Sequence, residues 1–184
     1  MGTPPAARGP ITTMIPEGDE RERLVCTDCG YIAYDNPKIV VGSVVRHEDR
    51  YLLCRRAIDP RKGYWTLPAG YLELGESTEA GAMREAWEEA RARIGLDGLL
   101  AIYSIQHLSQ VQLIYRARLL DAAIAAGPES LEVRLFRWDE IPWADIAFHS
   151  VRWSLDADRK AGDGPLVPVT NPATEPVPKL AGGL

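Results

Sequence analysis

The stretch Leu67–Arg93 constrains this chain more than any other. It reads as the end of a strand, a loop holding Gly70 and Gly75, and a helix expected over Glu79–Arg93 from its Ala, Glu and Arg content. The glycines permit a tight loop whose backbone carbonyls can come close to a bound ion. Ser77 or Thr78 can cap the helix, and Glu79 suits its positive N-terminal end. At the helical period Ala80, Met83, Ala86, Trp87 and Ala90 form one stripe, which predicts packing on a sheet. Glu85, Glu88 and Glu89 fall on the opposite side and crowd one patch. Like-charged neighbours on a helix cost about 0.2–0.5 kcal/mol per pair. Two readings fit such a patch. One is a solvated charged face flanked by Arg84, Arg91 and Arg93. The other is a site for a hard cation such as Mg2+ or Mn2+, which binds carboxylate oxygens and keeps positions for water and phosphate.

The rest of the chain supplies a scaffold. Lys38–Arg46 and Tyr51–Arg56 read as strands, and Asp59–Gly63 as a loop. Ala101–His107, Val111–Leu119 and Leu131–Arg137 read as further strands, with a last helix expected at Asp145–Lys160. Interspersed strands and helices predict an α/β layered domain. Nine of the 14 prolines lie in the first or last twenty residues, which predicts flexible tails over 1–20 and 162–184. The 184 residues suit one domain, expected over 38–161. A net charge of −5 argues against a nucleic-acid partner. No apolar run approaches the roughly 18–20 residues of a membrane span, and no secretory signal opens the chain. Three cysteines are too few for a disulfide framework, so a reducing cytoplasm is expected.

Gly70, Glu76, Arg84-Glu85 and Glu88-Glu89 resemble the Nudix box, G-x5-E-x7-R-E-U-x-E-E-x-G-U, where U is a bulky apolar residue. The resemblance implies an α/β/α sandwich with a mixed sheet between helices. It implies metal-dependent hydrolysis of a nucleoside diphosphate linked to a group X, by Mg2+ or Mn2+. Its metal ligands would be Glu85, Glu89 and the Gly70 carbonyl, with Glu88 a further ligand or a water-orienting group. Glu76 would support them, and Arg84 would hold the glutamates by charge-assisted hydrogen bonds. The general base in this family is often a carboxylate outside the box; Glu132 and Glu129 are the candidates. The resemblance also implies a homodimer and a small-molecule nucleotide substrate.

Ala86 and Ala92 are small for the apolar positions of the box, and Arg91 replaces its last glycine. Either Arg91 adopts a positive φ at a cost of about 1 kcal/mol, or the helix runs on through Arg93 to Gly95. Gly63–Pro68, Gly127–Phe136 and Ile141–Trp143 extend the likeness to a branch that acts on ADP-ribose and FAD. X is therefore expected to be ribose or the riboflavin part of FAD. Hydrolysis of oxidised nucleoside triphosphates and non-catalytic sensing of ADP-ribose are the alternatives. The signature of the family's NADH pyrophosphatases is missing after the box, where only Ser109–Gln112 stands. A proline common in ADP-ribose pyrophosphatases is replaced by Gln106 and His107. His107 is expected as a partly buried strand residue, and Trp65 and Trp143 as core. Arg55, Arg56, Arg61 and Lys62 are candidates to meet phosphate, against the simpler reading of solvated surface charge.

Cys26-Thr27-Asp28-Cys29-Gly30 has the spacing of one zinc knuckle, so 21–37 resembles an incomplete zinc ribbon. A structural zinc needs four ligands, and nothing between Met1 and Val25 is Cys or His. Structural zinc is therefore not expected.

Overall fold

The computed structural model describes residues 9–173. It divides into two compact units, Met1–Asn36 and Pro37–Leu184. The expected tails over 1–8 and 174–184 lie outside the described residues.

The first unit is a three-stranded antiparallel sheet of β1 (Thr12–Met14), β2 (Arg23–Val25) and β3 (Ile32–Ala33). A strand thus stands where the prolines predicted a tail. The turn that makes it possible is closed by Asp19, whose carboxylate accepts from Glu20 N (2.8 Å), Arg21 N (3.2 Å) and Arg23 Nε (2.9 Å). The turn between β2 and β3 carries Cys26, buried, and Cys29, exposed. Backbone N–H groups of Cys29 and Asp28 aimed at the Cys26 sulfur hold its thiol below the ordinary range.

The second unit is a seven-stranded mixed sheet between two helices. Its main path runs β10 (Ser130–Arg137), β5 (Arg50–Arg56), β4 (Lys38–His47), β9 (Gln110–Leu119), β8 (Ile94–Ile105). Short strands β6 (Trp65–Thr66) and β7 (Ala69–Tyr71) pair with β5 and β4. Among these strands β4 and β9 alone run parallel; the other pairs are antiparallel. Alternation along β4 sends Val41 and Val45 toward helix α1 (Thr78–Ala90), and Val44 toward helix α2 (His149–Ala161). This is the expected α/β/α sandwich. Trp65 and Trp143 pack on the α2 side as expected, Trp65 edge-on to Phe136 and Trp143 edge-on to Trp138.

Helix α1 corrects two expectations. Its buried face is Gly81, Ala82, Glu85, Ala86, Glu89 and Ala90, while Met83 and Trp87 stay half exposed. Small residues let the helix lie close on the sheet, and two carboxylates turn inward with them. Of the expected apolar stripe only Ala86 and Ala90 lie on the packing face; Ala80, Met83 and Trp87 do not. The helix also stops at Ala90: Arg91 adopts a left-handed φ of 50°, and its N–H returns to Trp87 O at 2.9 Å. Arginine thus serves where the box has glycine, with its guanidinium resting over the Trp87 ring. The chain then enters β8 at Ile94, well before the strand start expected at Ala101.

Helix α2 begins at His149, later than expected, because Asp145 closes a one-turn 3-10 helix (Trp143–Asp145). The intervening residues pair with β6 instead, with Ala147 N donating to Trp65 O at 2.8 Å. The proline-marked segment after α2 is ordered against β8 through Val169 and Asn171. Among the described residues no helix is long and apolar enough to cross a membrane.

Candidate active site

Pairing of β7 with β4, Gly70 opposite Val41, brings the glycine loop under α1. There the absence of a side chain matters: a Cβ on Gly70 would stand 2.6 Å from the Glu85 carboxyl carbon. Glu85 and Glu89 are only 8% and 6% exposed; Glu85 shares the Arg84 guanidinium with Glu76 and Glu88, and among the described residues Glu89 is in no ion pair.

Arg84 organises the exposed side of the cluster. Its Nε and Nη2 donate to the two Glu76 oxygens, each at 2.9 Å, in a bidentate fork. Nη2 also donates to Tyr71 O at 2.9 Å, and Nη1 to Glu85 Oε1 (2.7 Å) and Glu88 Oε2 (2.8 Å). Arg84 thus bonds Glu76, Glu85 and Glu88 at once. The bond from Arg84 holds the Glu76 carboxyl below its usual range. Glu76 itself receives Glu73 N at 3.2 Å, which ties the loop to the helix.

Glu89 is left short of partners. It accepts from Ala69 N at 3.1 Å. Burial pushes its carboxyl up to about 8, against that hydrogen bond, and the neighbouring Glu85 adds to the rise. Burial likewise raises Glu85 against the pull of Arg84. Among the described residues no three acidic, His or Cys side chains already surround a common point. The Arg84 guanidinium lies between Glu85 and Glu88. The donor set nonetheless fits a hard cation. Buried carboxylates that hold protons too tightly are stabilised by an added positive charge, and the Gly70 backbone beside Glu85 offers a neutral oxygen.

The loop after β9 is clasped to the end of α1. Gly127 N donates to Glu89 O (3.0 Å) and Ala125 N to Ala90 O (2.9 Å), satisfying helix-end carbonyls. Gly127 packs so closely that any Cβ would overlap the Glu88 carbonyl. The clasp delivers Glu129 to the cluster, close enough to raise both Glu85 and Glu89 by its charge. Glu132 is placed elsewhere. A register shift between Ser130 and Glu132 sets it opposite Arg55, with which it forms an exposed ion pair at 3.8 Å.

These groups open onto a cleft of about 1520 Å³. Arg56 and Arg61 line it, whereas Arg55 and Lys62 do not. Arg56 is braced by Pro60 O at 2.8 Å and by the Phe148 ring beneath its guanidinium. His107 is an exposed residue of a one-turn 3-10 helix (Gln106–Leu108) and faces the cleft, not a partly buried strand residue. Phe148 and Thr170–Pro172 also line the cleft. No motif marked Thr170–Pro172, whose one proline pointed away from structure.

Comparison with known proteins agrees with this geometry. The family model described as NUDIX domain matches residues 36–154. The zinc-ribbon model described as Nudix N-terminal matches residues 8–35, so its likeness begins well inside the expected tail. A MutT-like protein of Streptomyces ambofaciens is 36% identical over 67% of this chain and 77% of its own length. An ADP-ribose pyrophosphatase of Methanocaldococcus jannaschii is 26% identical over 61% of this chain and 69% of its own. The crystal structure of a NUDIX hydrolase from Nitrosomonas europaea superposes with a TM-score of 0.81 at 45% identity, covering 87% of this chain and 93% of that one. The chain is a member of the Nudix hydrolase family.

Proposed function

We propose that this chain hydrolyses the diphosphate of an ADP-X compound with a divalent cation, Mg2+ or Mn2+, giving AMP and phospho-X. The observation that carries the reading is the Glu85–Glu89 pair, buried and short of positive charge beside Gly70. Glu85, Glu89, Glu88 and the Gly70 carbonyl would hold the cation. Such a site supplies, when loaded, a polarised water and compensation for charge on the leaving phosphate. Arg84 keeps Glu85 and Glu88 in place through its fork on Glu76. Arg56, fixed over Phe148 at the cleft, meets a diphosphate oxygen. Glu129 takes the proton of the attacking water; its place in the cleft lining supports this, whereas Glu132 is paired with Arg55 outside that lining. The relative from Methanocaldococcus jannaschii is named for ADP-ribose, which supports ribose as X, with FAD the other candidate. Three free cysteines support a reducing compartment.

The test is a panel of ADP-ribose, FAD, NADH and dinucleoside polyphosphates, with Mg2+ and Mn2+ compared and products identified. AMP released from ADP-ribose or FAD is expected. Hydrolysis of none of them, with either ion, would sink the reading.

A further inference from the structure

Strand β8 lies at one edge of the sheet, where its outer backbone groups need partners. The segment Leu166–Pro172 supplies some of them, through a single parallel bridge at Val169. Val169 N donates to Leu100 O (3.0 Å), and Ile102 N donates to Val169 O (2.9 Å). One step further along, a side chain replaces the backbone. Ser104 N donates to Asn171 Oδ1 (2.8 Å), and Asn171 Nδ2 donates to Ser104 O (3.1 Å). A carboxamide is the one side chain type that carries a donor and an acceptor matching a peptide group. Leu166 anchors the other end on the core beside Gly98.

Covering an edge needs only the backbone. This segment does more, because Thr170, Asn171 and Pro172 line the cleft together with Gln106 and His107. From β7 the sheet runs through β4, β9 and β8 to this segment. At strand spacing that places it about 19 Å from Gly70 along the sheet. A phosphate or a bare ribose held at the carboxylates falls short of it, whereas the base of an extended nucleoside diphosphate, its phosphates held at the carboxylates, comes within reach. The lining is also of the kind a base needs, with amide and hydroxyl groups beside the apolar surfaces of Leu108, Pro172 and Trp153.

We propose that Leu166–Pro172, pinned by Asn171, is the wall that seats the nucleobase of the substrate. This rests on the cleft being a nucleotide site, as in the proposed function. Asn171 is a positioning residue: it holds the wall on Ser104 and so sets the place of Thr170 and Pro172.

The experiment is calorimetric titration of the full chain with ADP and, separately, with inorganic pyrophosphate, both with Mg2+. Asn171→Ala is expected to weaken ADP about tenfold and pyrophosphate less than about twofold. Asn171→Asp keeps one of the two bonds to Ser104 and should fall between Asn171→Ala and the parent. A chain ending at Gly164 should repeat the Asn171→Ala pattern, provided its thermal transition shows it folded; Asn171→Ala decides the matter if it does not. Unchanged ADP affinity in Asn171→Ala, equal weakening of both ligands, or a parent chain that does not bind ADP would each overturn the proposal. A parent chain that binds ADP but hydrolyses no ADP-X compound would overturn the proposed activity and leave the wall standing.

Discussion

Each helix brings buried charge to the sheet, and the two sides treat it differently. On the α2 side Asp158 is 1% exposed and fully answered. Arg116 Nε donates to it at 2.5 Å, the Tyr51 hydroxyl donates at 3.2 Å, and Arg46 stands at 3.8 Å. Tyr51 is pushed up to about 12 by burial and by the Asp158 charge beside it. On the α1 side Glu85 and Glu89 are almost as deeply buried, and Arg84 reaches Glu85 and not Glu89. Both arrangements carry the cost of removing charge from water. One has recovered it inside the protein and locks two elements together. The other has left it open, which is the condition for attracting a cation. A neutralised buried charge is a fastening; an under-neutralised one is a site.

The largest expected effect falls on the fastened side. Asp158→Ala strands the 4%-exposed Arg116 without a partner and should cost about 3–5 kcal/mol in urea denaturation. A loss below about 1 kcal/mol would remove the distinction between the two sides. On the open side Glu89→Gln keeps the shape and removes a ligand charge. Its kcat at saturating metal should fall about 100-fold or more, equivalent to about 3 kcal/mol of transition-state stabilisation.

The same residue sets a pH dependence. Glu89 stands at about 8 in the folded chain, against an ordinary 4.5. Between those values the folded state binds the extra proton. Stability of the chelator-treated protein is therefore highest below 4.5 on this account and falls as pH rises through 8. From pH 5 to 8 the decline should be about 3–4 kcal/mol, and Glu89→Gln should flatten it. A decline that survives in Glu89→Gln would place its origin in another group.

Glu129→Gln should lower kcat about 100-fold, while Glu132→Gln changes it less than about threefold. The reverse order would return the base to the strand edge. The smallest effect is at the helix end. Arg91→Gly relieves the positive φ and should add about 1 kcal/mol in thermal unfolding, with turnover unchanged. A loss of stability would mean that the Arg91 contact with Trp87 outweighs the backbone strain.

The box residues were legible because their spacing encodes one loop and one helix face. Gly70, Glu76, Arg84, Glu85, Glu88 and Glu89 meet where that spacing implies. Which side of the helix is buried was not legible. Periodicity ranks Met83 and Trp87 as inward because it scores hydrophobicity, whereas this helix is seated by the size of Gly81, Ala82 and Ala86. The choice between Glu129 and Glu132 depended on a register shift in β10, which leaves no mark in composition. The terminal segments failed for one shared reason. Proline content reports what a segment cannot do alone, and says nothing of the partner strand that Val25 offers Thr12 or Ala101 offers Val169.

The clasp of Gly127 and Ala125 on the last carbonyls of α1 bears on how the domain opens. The carboxylate helix and the loop bearing Glu129 share those hydrogen bonds, so neither can fray without exposing the other's backbone. They belong to one cooperative unit of unfolding. On the proposed function, a thermal fluctuation that displaces the carboxylates displaces Glu129 with them, so partly opened molecules would be inactive instead of misdirected.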